Sequence, residues 1–137
     1  MYLGVHVIAD LYGIDFNKID KAEKIEKVLE EAVKYSGLNK VCSKYHQFEP
    51  FGATGVIVLE ESHVSAHTWA EYGYVAIDVF TCESEEKAIK AINFIIEKLK
   101  PKKIKQKIIK RGRVRERDKF IPPNYNPLID KMLKSKS

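Results

Sequence analysis

A serine that directly follows a glutamate at the end of an apolar run can attack its own backbone. Ser62 follows Glu61, just past the apolar stretch Gly55-Val56-Ile57-Val58-Leu59. A strained turn at this point would aim the Ser62 hydroxyl at the carbonyl carbon of Glu61. Attack moves the acyl group from nitrogen to oxygen. The ester can then lose the serine α-proton and eliminate, leaving dehydroalanine at position 62. Tautomerisation and hydrolysis give a pyruvoyl group and ammonia, and the chain becomes two pieces, 1–61 and 62–137. This chemistry needs a donor for the oxyanion and a base for the α-proton. Thr54 and His67 are the candidates for these two roles. A pyruvoyl ketone is an electron sink: as a Schiff base with a substrate amine it lets a carboxylate leave as carbon dioxide. The carbanion left behind needs an acid, and Cys82 is a candidate because surroundings can tune a thiol pKa.

Each residue also has a plain structural reading. Ser62 alone is a turn residue, His67 a hydrogen-bonded strand histidine, and Cys82 a small buried hydrophobe. Phe48 and Trp69 alone are core aromatics. His63 and His67 would be zinc ligands on a helix, but the local pattern is that of a strand or turn. No third ligand has a matching spacing, so no metal is expected.

The combination is more specific than its parts. Phe48-x-Pro50-x-Gly52-x-Thr54-Gly55-Val56, Glu61-Ser62-His63, His67-Thr68-Trp69-x-Glu71-Tyr72-Gly73-Tyr74 and Asp78-Val79-Phe80-Thr81-Cys82 occur in this order. Together they resemble the prokaryotic S-adenosylmethionine decarboxylase family, over roughly residues 3 to 112. The resemblance implies self-cleavage between Glu61 and Ser62, with Ser62 becoming a covalent pyruvoyl cofactor and no metal involved. It implies that His67 and Thr54 serve processing and that Cys82 is the catalytic proton donor. Glu71 would bind the ribose hydroxyls and Phe48 would stack on adenine, with Trp69 beside the positive sulfonium. The implied substrate is S-adenosylmethionine, on the route to spermidine. The implied assembly is a homodimer of processed protomers, with active sites near the dimer interface. Some relatives decarboxylate arginine, and the sequence leaves that substrate open. Three positions depart from the common pattern: Glu60 for serine, Ala70 for proline and Glu83 for glycine. None removes a catalytic atom, though Ala70 could shift Trp69 and Glu71.

These residues need a scaffold. Residues 2–9 alternate as a strand, and Leu11 to Asp15 read as a turn. A helix spans about Asp20 to Ser36, with Asp20 and Glu23 as a capping box and Gly37 as its stop. Its apolar stripe is Ala22, Ile25, Leu29, Ala32 and Val33. Strands follow at 39–48, 54–60 and 74–81, with 63–69 a short segment between them. Ser84 caps a second helix, whose core stripe is Ala88, Ile89, Ile92, Ile95, Ile96 and Leu99. A last strand covers 103–110. The order β-α-β-β-β-α-β predicts an α+β fold: a two-layer sandwich with a mainly antiparallel sheet and both helices on one face. The other face must meet water or a partner, so packing alone makes a dimer plausible. The tail from about residue 114 reads as a loop or extended arm.

At 137 residues the chain is read as a single domain. No apolar run approaches the roughly 20 residues a bilayer needs. The N-terminal residues read as a strand rather than a signal peptide, which points to the cytoplasm. The two cysteines, Cys42 and Cys82, are read as free thiols. The net charge of +5 has a local source, since 98–119 holds half of the 24 lysines and arginines. A nucleic-acid-binding module is one reading of that stretch. The simpler reading is a lysine-guarded edge strand, because no aromatic residues interleave there, and nucleic acid is not an expected partner.

Overall fold

The computed structural model describes residues 1–136, apart from the side chains of 129, 130 and 134–136. Six strands form one antiparallel sheet: β1 (Tyr2–Tyr12), β2 (Lys40–Gln47), β3 (Ala53–Leu59), β4 (Ser62–Trp69), β5 (Tyr74–Thr81) and β6 (Lys103–Arg113). Their spatial order is β2-β3-β4-β5-β1-β6. The helices are α1 (Phe16–Ile19), α2 (Ala22–Ser36), α3 (Glu85–Leu99) and α4 (Pro127–Lys136). Helix α2 packs on β3, α3 on β1 and β5, and the two helices on each other. The expected α+β sandwich, with its main helices on one face, is therefore the observed fold.

Strand periodicity sends alternate side chains to opposite faces. Val7, Ala9 and Leu11 of β1, Ile57 of β3, Val64 and Ala66 of β4, and Val75, Ile77 and Val79 of β5 point to the helices and are buried. They meet Ile25, Leu29 and Val33 of α2 and Ala88, Ile92 and Ile95 of α3, all in the same core. The residues between them face away from the helices. This open face carries His6, Asp10, Thr54, His63, Ser65, His67, Trp69, Tyr74, Asp78 and Phe80.

The structure corrects several boundaries. Segment 63–69 belongs to a full strand, β4, so four strands rather than three lie between the main helices. It is an interior strand, bonded to β3 on one side and β5 on the other. Strand β1 runs on to Tyr12, because Leu11 pairs with Val75 of β5 and is fully buried. Its turn shrinks to Gly13–Asp15. The capping box at Asp20 does not form. Asp20 instead takes the Lys24 ammonium at 2.8 Å, and the Ala22 amide donates to Gln47 Oε1 at 2.6 Å. Ser84 does cap α3, accepting from the Lys87 amide at 3.2 Å. The tail ends in α4, where the loop reading had no helix. There Asn126 Oδ1 accepts from the Leu128 amide at 2.9 Å and Pro127 takes the first helical position, which proline favours. No helix among the described residues is long and apolar enough to cross a membrane.

Ile57 tests this core. It is fully buried on an interior strand. Ile57→Ala should cost about 2–5 kcal/mol of unfolding free energy. Urea denaturation followed by circular dichroism measures it.

Candidate active site

The link between β3 and β4 is short, and several of its polar groups are held. Val58 of β3 pairs with His63 of β4, leaving Leu59 to Ser62 to make the turn. The Glu60 amide donates to the Asn39 carbonyl at 2.9 Å. Glu61 is 2% exposed, a rare state for a carboxylate unless it is paired. Its two carboxylate oxygens accept from the Asn39 amide at 3.1 Å and from Asn39 Nδ2 at 2.8 Å. Its carbonyl oxygen accepts from the Cys82 amide at 3.0 Å. The peptide bond between Glu61 and Ser62 is thus fixed from both sides.

Ser62 itself is strained. Its φ is +154°, in a region that residues with a side chain rarely adopt. The strained turn expected from the sequence is present, at the residue expected. Ser62 pairs with Thr81 of β5, which puts it beside Cys82. Cys82 is an exposed free thiol, not the buried hydrophobe of the plain reading.

Thr54 and His67 pair across β3 and β4, with Thr54 Oγ1 3.0 Å from His67 Nδ1. They stand five positions along β4 from Ser62, roughly 17 Å at about 3.3 Å per strand residue. Within one chain they do not meet the Glu61 carbonyl. The donor at that oxygen is the Cys82 amide, which sequence reasoning missed because a backbone group leaves no sequence signal.

Thr54 and His67 instead line a cleft of about 380 Å³ with Phe48, Phe51, Ala53, Thr68, Trp69 and Glu71. Phe48 and Trp69 are 47% and 44% exposed there, so both are surface aromatics and not core. The Phe48 loop closes with its amide on the Gly52 carbonyl at 2.9 Å. Gly52 has φ +103°, and a Cβ on it would lie 3.1 Å from the Thr68 carbonyl oxygen, so glycine is required. Trp69 stacks on Tyr74 at 5.3 Å, and Tyr74 on Tyr12 at 5.1 Å. The Tyr74 hydroxyl donates to Asp10 at 2.6 Å, and that bond helps push its pKa up to about 12. Ala70 is buried and opens the 3-10 turn that carries Glu71. Alanine in place of proline therefore leaves both Trp69 and Glu71 on the cleft.

A third group was not foreseen. Asp78 Oδ2 accepts from His6 Nε2 at 2.7 Å and from His63 Nε2 at 3.1 Å, and Asp78 Oδ1 accepts from the Ser65 hydroxyl. Among the described residues, His6, His63 and Asp78 are the one set with metal-ligand spacing, their atoms within 4.8 Å of one another. The available signal was Asp78, an acid inside an apolar strand. His63 and His67 are four residues apart on one strand face, so they do not form the helical pair weighed from sequence. Burial pushes the Asp78 carboxyl up, but the bonds from Ser65, His6 and His63 outweigh it and hold its pKa below the ordinary 3.8.

The comparisons with known proteins agree with this geometry. The profile of S-adenosylmethionine decarboxylase matches residues 5–112. The chain belongs to the S-adenosylmethionine decarboxylase family. It is 60% identical over 110 residues to the S-adenosylmethionine decarboxylase proenzyme of Sulfurihydrogenibium sp. (strain YO3AOP1), covering 80% of this chain and 83% of that one. To the proenzyme of Persephonella marina it is 58% identical over 112 residues, covering 82% and 84%. The crystal structure of the adenosylmethionine decarboxylase from Aquifex aeolicus superposes with a TM-score of 0.81 at 50% identity, covering 84% of this chain and 95% of that one.

A depressed carboxylate pKa stabilises the fold above its unfolded value and loses that contribution as pH falls through its folded value. Asp78→Asn should therefore lower stability more at pH 7 than at about pH 3, below the ordinary aspartate pKa. Urea midpoints at the two pH values measure it. An equal loss at both would show that the charge on Asp78 carries no stability.

Proposed function

We propose that the chain is a proenzyme that cuts itself between Glu61 and Ser62, and then decarboxylates S-adenosylmethionine. The observation that carries this reading is the strained Ser62 behind a carbonyl already bonded to the Cys82 amide. The Ser62 hydroxyl attacks the Glu61 carbonyl carbon. A new C–O bond forms, the C–N bond breaks, and the nitrogen takes the hydroxyl proton. The Cys82 amide stabilises the negative charge on oxygen during the attack, as a preorganised donor does. A base removes the Ser62 α-proton, and Glu61 leaves as a free carboxylate. Water then replaces the nitrogen of the resulting enamine, releasing ammonia and leaving a pyruvoyl group at position 62.

The residues around position 62 fit such a group. It is small, and it would stand at the head of β4 beside the exposed thiol of Cys82. When present it supplies an electron sink for loss of carbon dioxide from an amino acid. Cys82 stands where it can return a proton to the substrate carbon. The cleft suits the adenosine part: Phe48 offers an aromatic face, Glu71 a carboxylate for a vicinal diol, and Trp69 a π-face for the sulfonium.

One chain holds these parts in two places. Ser62 and Cys82 lie at one end of β4, and Thr54, His67, Trp69, Glu71 and Phe48 at the other. A two-fold axis through the middle of the open face would lay the Ser62 end of one copy over the His67 end of its partner. The interface would be isologous. His67 of the partner would then serve as the base for processing, and the uncovered sheet face would be buried. Each assembly would hold two complete sites.

The basic stretch needs no nucleic acid. Half of its basic residues lie on β6, an edge strand of the sheet, where lysines prevent strand addition. Lys103 and Lys105 sit over the Tyr12 ring and Arg111 over Phe80.

Denaturing mass spectrometry of wild-type protein should show two fragments, 1–61 and 62–137, the second with a ketone at its head. Ser62→Ala should remain one chain and be inactive. Cys82→Ala should cleave yet lose most turnover. Carbon dioxide should be released from labelled S-adenosylmethionine and not from labelled arginine; the reverse result would reject the substrate but keep the self-cleavage. A wild-type chain that stays whole would reject both.

Shared sites give a separate test. Processed Cys82→Ala and Glu71→Gln proteins should each be nearly inactive. Refolded together, about half of the dimers are mixed and each has one intact site, so about a quarter of wild-type activity should return. No recovery would place each site within one chain.

A further inference from the structure

Cleavage at Glu61–Ser62, which the proposed function requires, would turn an interior strand into one that starts with its reactive group. Strand ends fray unless tied down. Backbone pairing holds the new end unevenly: Ser62 faces Thr81 on β5, but the register with β3 begins only at His63, opposite Val58. The first side chain after position 62 is also that of His63, and it reaches Asp78 at 3.1 Å.

Asp78 is well placed to hold it. Its carboxylate is 24% exposed, and three donors from the two neighbouring strands converge on it: His6 of β1, and His63 and Ser65 of β4, around Asp78 on β5. The strand register explains the convergence. Ser65 lies directly across from Asp78, while His6 and His63 both lie across from Phe80, one on each side. The two imidazoles flank the Phe80 ring at 5.4 Å and 5.9 Å and lean toward the same oxygen. An exposed ion pair fixes little. A carboxylate with three partners in a rigid sheet fixes much more.

Asp78 does not itself reach the reacting atoms. It pairs with Ser65, three residues along β4 from position 62, about 10 Å at the rise of a strand. We propose that Asp78 is a positioning residue: through His63 it holds the head of the second fragment, and with it the group at position 62, against Cys82.

The test uses the full-length processed protein and two variants, Asp78→Asn and His63→Ala. The His63 side chain is 40% exposed, so its truncation tests the tether without opening the core. Amide hydrogen exchange is followed by NMR at residues 63–66, alongside steady-state turnover of S-adenosylmethionine. In both variants exchange at residues 63–65 should speed up about tenfold more than at Val75 to Ile77, whose amides report the global stability. Their kcat should fall about tenfold to a hundredfold while KM stays within about twofold, as expected when a reacting group is misplaced but binding is intact. A merely structural role would lower the melting temperature, speed exchange evenly along the sheet and leave kcat as in wild type, which overturns the proposal. Loss of wild-type activity on chelation, restored by zinc, would also overturn it by making the trio a metal site. The exchange arm does not depend on cleavage. If the chain proves uncut, the proposed function fails, and faster exchange at residues 63–65 in the variants still reads the tether.

Discussion

The hydrogen bond from the Cys82 amide to the Glu61 carbonyl, at 3.0 Å, organises the reactive end of this protein. It joins the turn before β4 to the end of β5. It polarises the carbonyl that Ser62 would attack in the proposed cleavage. It also fixes the spacing between Ser62 and the thiol of Cys82, since both positions belong to the same pair of strands. The buried Glu61 carboxylate, saturated by Asn39, keeps the turn from relaxing. With both neighbours clamped, Ser62 is left with φ +154°. Strain at one residue persists only when its surroundings over-determine it, and here they do.

The sheet's second constraint is its single covered face. Helices α2 and α3 take the apolar residues of β1, β3, β4 and β5, so polar groups on those strands collect on the other side. Strand β4 shows the division residue by residue. Val64, Ala66 and Thr68 are buried against the helix layer, while His63, Ser65, His67 and Trp69 face outward. A one-residue slip of this strand would bury both histidines and expose the core. The register that builds the core therefore also builds the site.

Much of this was legible in the sequence. The strand at 74–81 and the helix capped by Ser84 follow directly from apolar period and capping chemistry. The order of motifs from Phe48 to Cys82 named the family. What was not legible has physical reasons. Segment 63–69 mixes polar and apolar residues because its two faces meet different surroundings, and that hides an interior strand. Asp20 looked like a helix cap, but Gln47, distant in sequence, takes the amide at the helix start. The Cys82 amide and the Asp78 cluster depend on register between strands, which no local pattern carries. Thr54 and His67 were read beside Ser62 because they are close in sequence, and a strand holds such neighbours apart.

That separation is itself informative. On a helix, positions 62 and 67 would lie only about 7.5 Å apart along the axis, less than half the strand separation. On a strand they lie at opposite ends of the site, and the proposed second copy would close the distance. A two-fold arrangement asks nothing new of the sequence, because one strand supplies the nucleophile end to one site and the histidine end to the other. It also accounts for the aromatic row Tyr12–Tyr74–Trp69, stacked across three adjacent strands on a face with no helix above it. Stacked rings on an uncovered sheet face leave apolar area in water, and in the proposed dimer burial under the partner subunit would remove that cost. In the proposed dimer the same face would carry both the chemistry and the reason to dimerise.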